Sequence, residues 1–90
     1  MKITLMKKKS KDCGGEFYRQ NRNTSAEIKI YPNSDNKERT IIHESIHSVL
    51  SEEGRRSRFL TIINKNEPLI WKLSEAIDQN LKEYQKLKNE

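Results

Sequence analysis

The chain has 90 residues, 32% of them hydrophobic and 34% charged, which bounds it to one domain (1–90) with a thin core. No apolar run is long enough to span a membrane, so a membrane protein is not expected. The formal charge is +5, and all of the excess lies in residues 1–23, where seven Lys or Arg face two acids; residues 24–90 carry eleven of each sign.

Residues 2–6 read as a first strand, with Ile3 and Leu5 on one face. Residues 7–15 read as a loop ending in the turn signal Gly14-Gly15. This loop carries Lys7, Lys8, Lys9 and Lys11. Such a cluster suits nucleic acid or an acidic partner, but it equally suits a solvated turn beside a strand edge. No aromatic residue interleaves with the lysines to stack on bases, which favours the solvated turn. Cys13 has no second cysteine to pair with, and the N-terminus lacks the apolar stretch of a signal peptide. Both features predict a reducing, cytoplasmic setting, in a bacterium or a phage-infected host.

Residues 16–20 and 26–31 read as two further strands, joined by a turn at Asn21-Arg22-Asn23 into a hairpin. A first helix is expected over residues 36–53. Asn33, Ser34, Asp35 and Asn36 offer capping oxygens before it, and Gly54 offers a stop. Arg55–Asn66 is a connector with an apolar patch, Phe59-Leu60-Thr61-Ile62-Ile63. It suits an extension of the first helix, a short helical turn or a flap over the core. A second helix is expected from Glu67 to Leu87, with Asn66 as cap and Pro68 in the first turn. Its apolar face reads Leu69, Ile70, Leu73, Ala76, Ile77, Leu81, Tyr84 and Leu87, and Trp71 is expected to pack against Phe59 or Ile63. The predicted class is α+β: a small antiparallel sheet of about three strands on two main helices.

The first helix carries the chemistry. His43-Glu44-Ser45-Ile46-His47 contains both histidines of the chain and matches the metallopeptidase pattern H-E-x-x-H. In a helix, residues four apart share a face, so His43 and His47 can offer ring nitrogens to one metal ion. Glu44, next to His43, is then the general base. Ile42, Ile46, Val49 and Leu50 give the segment an apolar stripe at helical spacing, and both histidines lie beside it.

A catalytic zinc usually takes three protein ligands. The longer pattern H-E-x-x-H-x-x-G-x-x-H fails here, with Leu50 in place of its glycine and Glu53 in place of its last histidine. With no third histidine, the third ligand is an acid, Cys13 or none; the alternative zincin arrangement takes an acid of a second helix, here Glu67, Glu75, Asp78 or Glu83. Helical phase sets Glu67 at the edge of the core-facing stripe, whereas Glu75 and Asp78 share the opposite face with Trp71 and Lys82. Glu67 is therefore the first choice and Glu75 the second. Cys13, in a loop beside two glycines, reads as a bystander.

The H-E-S-I-H segment followed by Asn66-Glu67 resembles the gluzincin branch of zinc metallopeptidases, in which a glutamate on a later helix completes the site. The likeness covers Ile42 to about Glu67 and is carried by His43, Glu44, His47, Asn66 and Glu67. The wider layout is similar to small phage-encoded metallopeptidase-like proteins and, more loosely, to peptidase domains of the ImmA/IrrE type. The resemblance implies a zincin-like fold, a Zn²⁺ cofactor and hydrolysis of a peptide bond in an intracellular protein, with Glu44 activating the water. Members of that wider group often act on regulators such as phage repressors. If residues 26–31 form a sheet edge, Ile28, Ile30 and Tyr31 offer an extended peptide a strand to pair with. Tyr31 or Tyr18 would then be the nearest oxyanion donor. The chain lacks an additional substrate domain and any clear tyrosine or histidine for the transition state. Two other roles fit the same residues: a metal-stapled binding protein, such as a phage inhibitor of a host factor, or a nucleic-acid-associated protein using the lysine loop.

Overall fold

The computed structural model describes residues 2–9, 13–21 and 25–89. Three strands, β1 (Lys2–Leu5), β2 (Gly15–Tyr18) and β3 (Glu27–Ile30), are followed by three helices, α1 (Lys37–Glu53), α2 (Arg58–Asn64) and α3 (Glu67–Lys88). The class is α+β, as the periodicities predict.

The strand order is β1-β3-β2. β2 and β3 form the expected antiparallel hairpin, with Phe17 opposite Ile28. β1 runs parallel to β3, with Ile3 opposite Ile28, so the sheet is mixed and not wholly antiparallel. The chain reverses direction twice between β1 and β3, and the third strand enters between the first two. β3 is therefore central, and both of its edges are paired. Ile28 and Ile30 are buried side chains of this middle strand, and Tyr31 follows it with its N–H bonded to Gly14 O at 2.8 Å. None of the three offers a free edge for an added strand. The edges are β1 and β2.

α1 packs over β2 and β3 but not β1. Ile3 and Leu5 stay exposed for this reason. The approach of α1 to β2 is close enough to require glycine, because a Cβ on Gly15 would collide with Thr40 Cγ2. Helix limits follow local capping. The Asn36 side chain accepts from Arg39 N at 2.9 Å, and Asn66 accepts from Leu69 N at 3.2 Å. The connector forms a separate helix, α2, capped by the Ser57 hydroxyl. The chain turns at Gly54, whose N–H donates to Leu50 O at 2.8 Å.

α3 lies antiparallel to α1 but is rotated from its expected phase. Its buried residues are Ile70, Ser74 and Asp78. Leu69, Leu73, Ile77, Leu81, Tyr84 and Leu87, expected to face the core, are exposed. The cause is polar. Asp78, 2% exposed, accepts from Arg39 Nε at 3.2 Å and Nη2 at 3.0 Å, from Asn36 Nδ2 at 3.3 Å, and pairs with Lys82 at 3.2 Å. A buried carboxylate without these partners would be far costlier than an exposed leucine. The apolar core proper is small: Ile28, Ile30 and Ile70 are the hydrophobic residues buried among the described ones.

Burial raises the Asp78 carboxyl, but Lys82 and Arg39 outweigh it and hold the pKa below the ordinary aspartate value. Such a group contributes stability above its unfolded-state pKa, about 3.9, and the contribution is lost as pH falls through the lower folded value. Asp78→Asn should thus be less stable than the parent in urea melts at neutral pH. The gap should narrow as pH falls below about 4. A gap independent of pH would count against the ion-pair account.

Candidate metal centre

α1 and α3 meet along a three-rung ladder of side chains. Arg39 pairs with Asp78, His43 with Trp71, and His47 with Glu67. Arg39, His43 and His47 follow one another at four-residue spacing on α1. Glu67, Trp71 and Asp78 fall on one face of α3, at offsets of four and seven. The lower rungs bring the two imidazoles and one carboxylate together.

His47 Nε2 lies 2.6 Å from Glu67 Oε1, and His43 Nε2 lies 3.3 Å from Glu67 Oε2. One donor atom from each of His43, His47 and Glu67 lies within 4.8 Å of the others. Ligand atoms around a tetrahedral zinc stand about 3.3 Å apart, given bonds of roughly 2.0–2.1 Å. The His43–Glu67 spacing already matches this. The His47–Glu67 contact is shorter than this, and the exposed Glu67 carboxylate needs to open by about 1 Å or less to admit an ion. Two nitrogens and a carboxylate form a donor set suited to Zn²⁺.

The ring orientations fit as well. His47 Nδ1 lies 2.7 Å from Asn64 Oδ1, an oxygen that only accepts, so Nδ1–H donates to it and Nε2 is the nitrogen left to take an ion. His43 is held differently. Its ring stacks on Trp71, with centroids 3.9 Å apart and planes 27° from parallel. Its Nδ1 is the one buried side-chain polar atom without a hydrogen-bond partner among the described residues. Burial lowers the His43 pKa; Glu67 opposes this and His47 adds to it. A neutral imidazole is the form that binds metal.

These groups form one wall of a cleft of about 710 Å³, bordered also by Glu44, Arg39, Thr40 and the Gly14-Gly15 backbone. Glu44 is 9% exposed. Burial raises its pKa, with His47 opposing and Glu67 adding to the rise. Of the acids considered on the last helix, Glu67 reaches the histidines. Glu75 lies two turns further on and accepts from Gln79 at 3.3 Å. Asp78 belongs to the Arg39 network, and Glu83 pairs with Lys86 at 3.4 Å. Trp71 packs on His43 and not on Phe59 or Ile63, because it shares the face of Glu67 one turn along. Tyr18 and Tyr31 gather around Glu16 and do not border the cleft. Cys13 borders it, with Sγ 3.5 Å from Glu16 Oε1. Lys7, Lys8 and Lys9 are exposed and do not line the cleft, and Lys11 lies outside the described residues.

Asn64 was not legible as a site residue, since it ends a helix the sequence left undefined. Comparison with protein-family models, curated proteins and solved structures finds no match for this chain. Among the described residues, no helix is long and apolar enough to cross a membrane.

Zinc binding is expected to perturb the fluorescence of Trp71, the sole tryptophan, in a saturable titration that His47→Ala abolishes. An ion joining α1 to α3 also stabilises the fold. At a free concentration of about 100 times Kd the gain is roughly 2.7 kcal/mol, a rise in Tm of the order of 10–20 °C. Asn64→Ala should weaken zinc affinity about 10–100-fold while leaving the far-ultraviolet dichroism unchanged. Unaltered affinity would show that the Asn64 contact does not orient His47.

Proposed function

We propose that this chain is a zinc-dependent peptidase that hydrolyses a peptide bond in an intracellular protein. One observation carries the reading: two imidazole nitrogens and the Glu67 carboxylate converge on the wall of an open cleft that Glu44 also borders. Structural metal sites are closed on all sides, whereas catalytic ones retain an accessible position.

His43, His47 and Glu67 would hold the ion. When bound, a divalent cation polarises a carbonyl oxygen and acidifies a water molecule. Glu44 supplies the proton transfers. Its carboxylate accepts a proton from the attacking water and returns it to the amide nitrogen as the peptide bond breaks. Its largely buried position favours that exchange, because a desolvated carboxylate gains more from taking up a proton than a solvated one. Asn64 holds His47 in one tautomer, and Trp71 covers one face of His43 and keeps water from it. An extended substrate would lie in the cleft that Gly14, Gly15 and Trp71 also border.

The test is hydrolysis of a mixed peptide library by the zinc-loaded protein, beside Glu44→Gln. The variant should bind zinc with the parent's stoichiometry and lose about 10²–10⁴-fold in rate. Equal rates in the two proteins would refute the assignment of Glu44 as base. A zinc-loaded parent that cleaves no member of the library would leave a metal-stapled binding protein as the better account.

A further inference from the structure

The rotation of α3 leaves an apolar stripe without an intramolecular partner. Leu69, Leu73, Ile77, Leu81, Tyr84 and Leu87 are each 37–69% exposed. They recur every three or four residues along a helix of 22. Beside the stripe, Ile42, Ile46 and Val49 of α1 and Ile77 of α3 line an almost wholly apolar groove of about 400 Å³.

The chain also exposes more surface than a compact monomer of its mass. The chain exposes 7158 Å². A compact folded monomer of 10.7 kDa exposes about 5,500 Å². The surplus, roughly 1,600 Å², is about twice what each partner buries in a standard interface and falls within the obligate homodimer range. The radius of gyration agrees, at 14.4 Å against about 12 Å for a compact chain of this length.

We propose that a second copy of this chain covers the face, with the two α3 helices packed antiparallel about a two-fold axis near residues 78 and 79. The stripe is close to palindromic about that point. Laid antiparallel, Leu73 meets Tyr84, Ile77 meets Leu81, and Leu69 meets Leu87, each to within one residue. The charges beside the stripe follow the same symmetry. Lys72 and Glu83 border the same edge of the stripe, so each copy's Lys72 lies beside the other's Glu83, offset by about 3 Å. The exposed end of each α3 then fills the groove between α1 and α3 of its neighbour, giving a four-helix arrangement. The histidine cluster faces α1 and not this stripe, and this inference does not depend on it.

Sedimentation equilibrium on the full chain tests the proposal. The parent should sediment at twice 10.7 kDa at micromolar concentration. Leu81→Lys, a change at a half-exposed position, should be monomeric with unchanged helical dichroism. Lys72→Glu and Glu83→Lys should each weaken the dimer about tenfold, and the double variant Lys72→Glu/Glu83→Lys should restore it. A monomeric parent, or a dimer indifferent to Leu81→Lys, overturns the second copy as the occupant. Single charge variants that leave the dimer as tight as the parent overturn the antiparallel arrangement, in which Lys72 of each copy faces Glu83 of the other.

Discussion

The structure depends on one buried carboxylate. Asp78 draws Arg39 and Asn36 from the start of α1 and Lys82 from its own helix, and this sets the rotation of α3. Everything else on that face follows by helical geometry. Trp71 lies two turns earlier and meets His43. Glu67 lies three turns earlier and meets both histidines. A carboxylate placed for charge pairing at one end of the helix thus aims a carboxylate of different use at the other. The same rotation turns the leucines outward.

The cluster of His43, His47 and Glu67 was legible because its parts obey local rules. His43 and His47 sit one turn apart within a single helix, and Glu67 sits beside a recognisable cap at Asn66. The rotation of α3 was not legible, for a reason internal to the sequence. Hydrophobic periodicity locates the stripe of Leu69, Leu73 and Ile77, and in an isolated domain that stripe normally faces the core. Here a polar face competes with it, and the desolvation demands of Asp78 decide the contest. Periodicity counts apolar residues, and it has no means of weighing one ion-pair network across 39 positions of chain. Trp71 was misjudged by the same reasoning, since the face it occupies reads as polar. The strand order escaped for a related reason. Alternation identifies β3 as half-buried or better, but it does not reveal that β1 pairs on its far side.

The core is correspondingly unusual. Among the described residues, Thr40, His43, Glu44, Ser74 and Asp78 are buried alongside three isoleucines. Buried polar groups fix geometry more sharply than they add stability, since each requires its own partner at its own angle. Ser74 satisfies its hydroxyl on Ile70 O at 2.8 Å, and Thr40 bonds both Asn36 O and the Ser34 hydroxyl. His43 Nδ1 is the exception. The domain therefore holds its site in a defined shape with little apolar surplus, and an ion bridging α1 and α3 would add strength where the ladder is weakest.

The placement of β1 bears on how the chain assembles. Its pairing with β3 joins residues 25 positions apart, and among the regular elements β1 touches β3 alone. β2 and β3 come together through a short connection, whereas β1 gains its hydrogen bonds only once that hairpin presents its far edge. The first of the three strands in sequence is thus the last to find its place. It is held by a few backbone bonds and the 2.6 Å contact from Thr4 Oγ1 to Glu27. Its release would leave both the helical ladder and the cleft intact while laying bare one edge of the central strand.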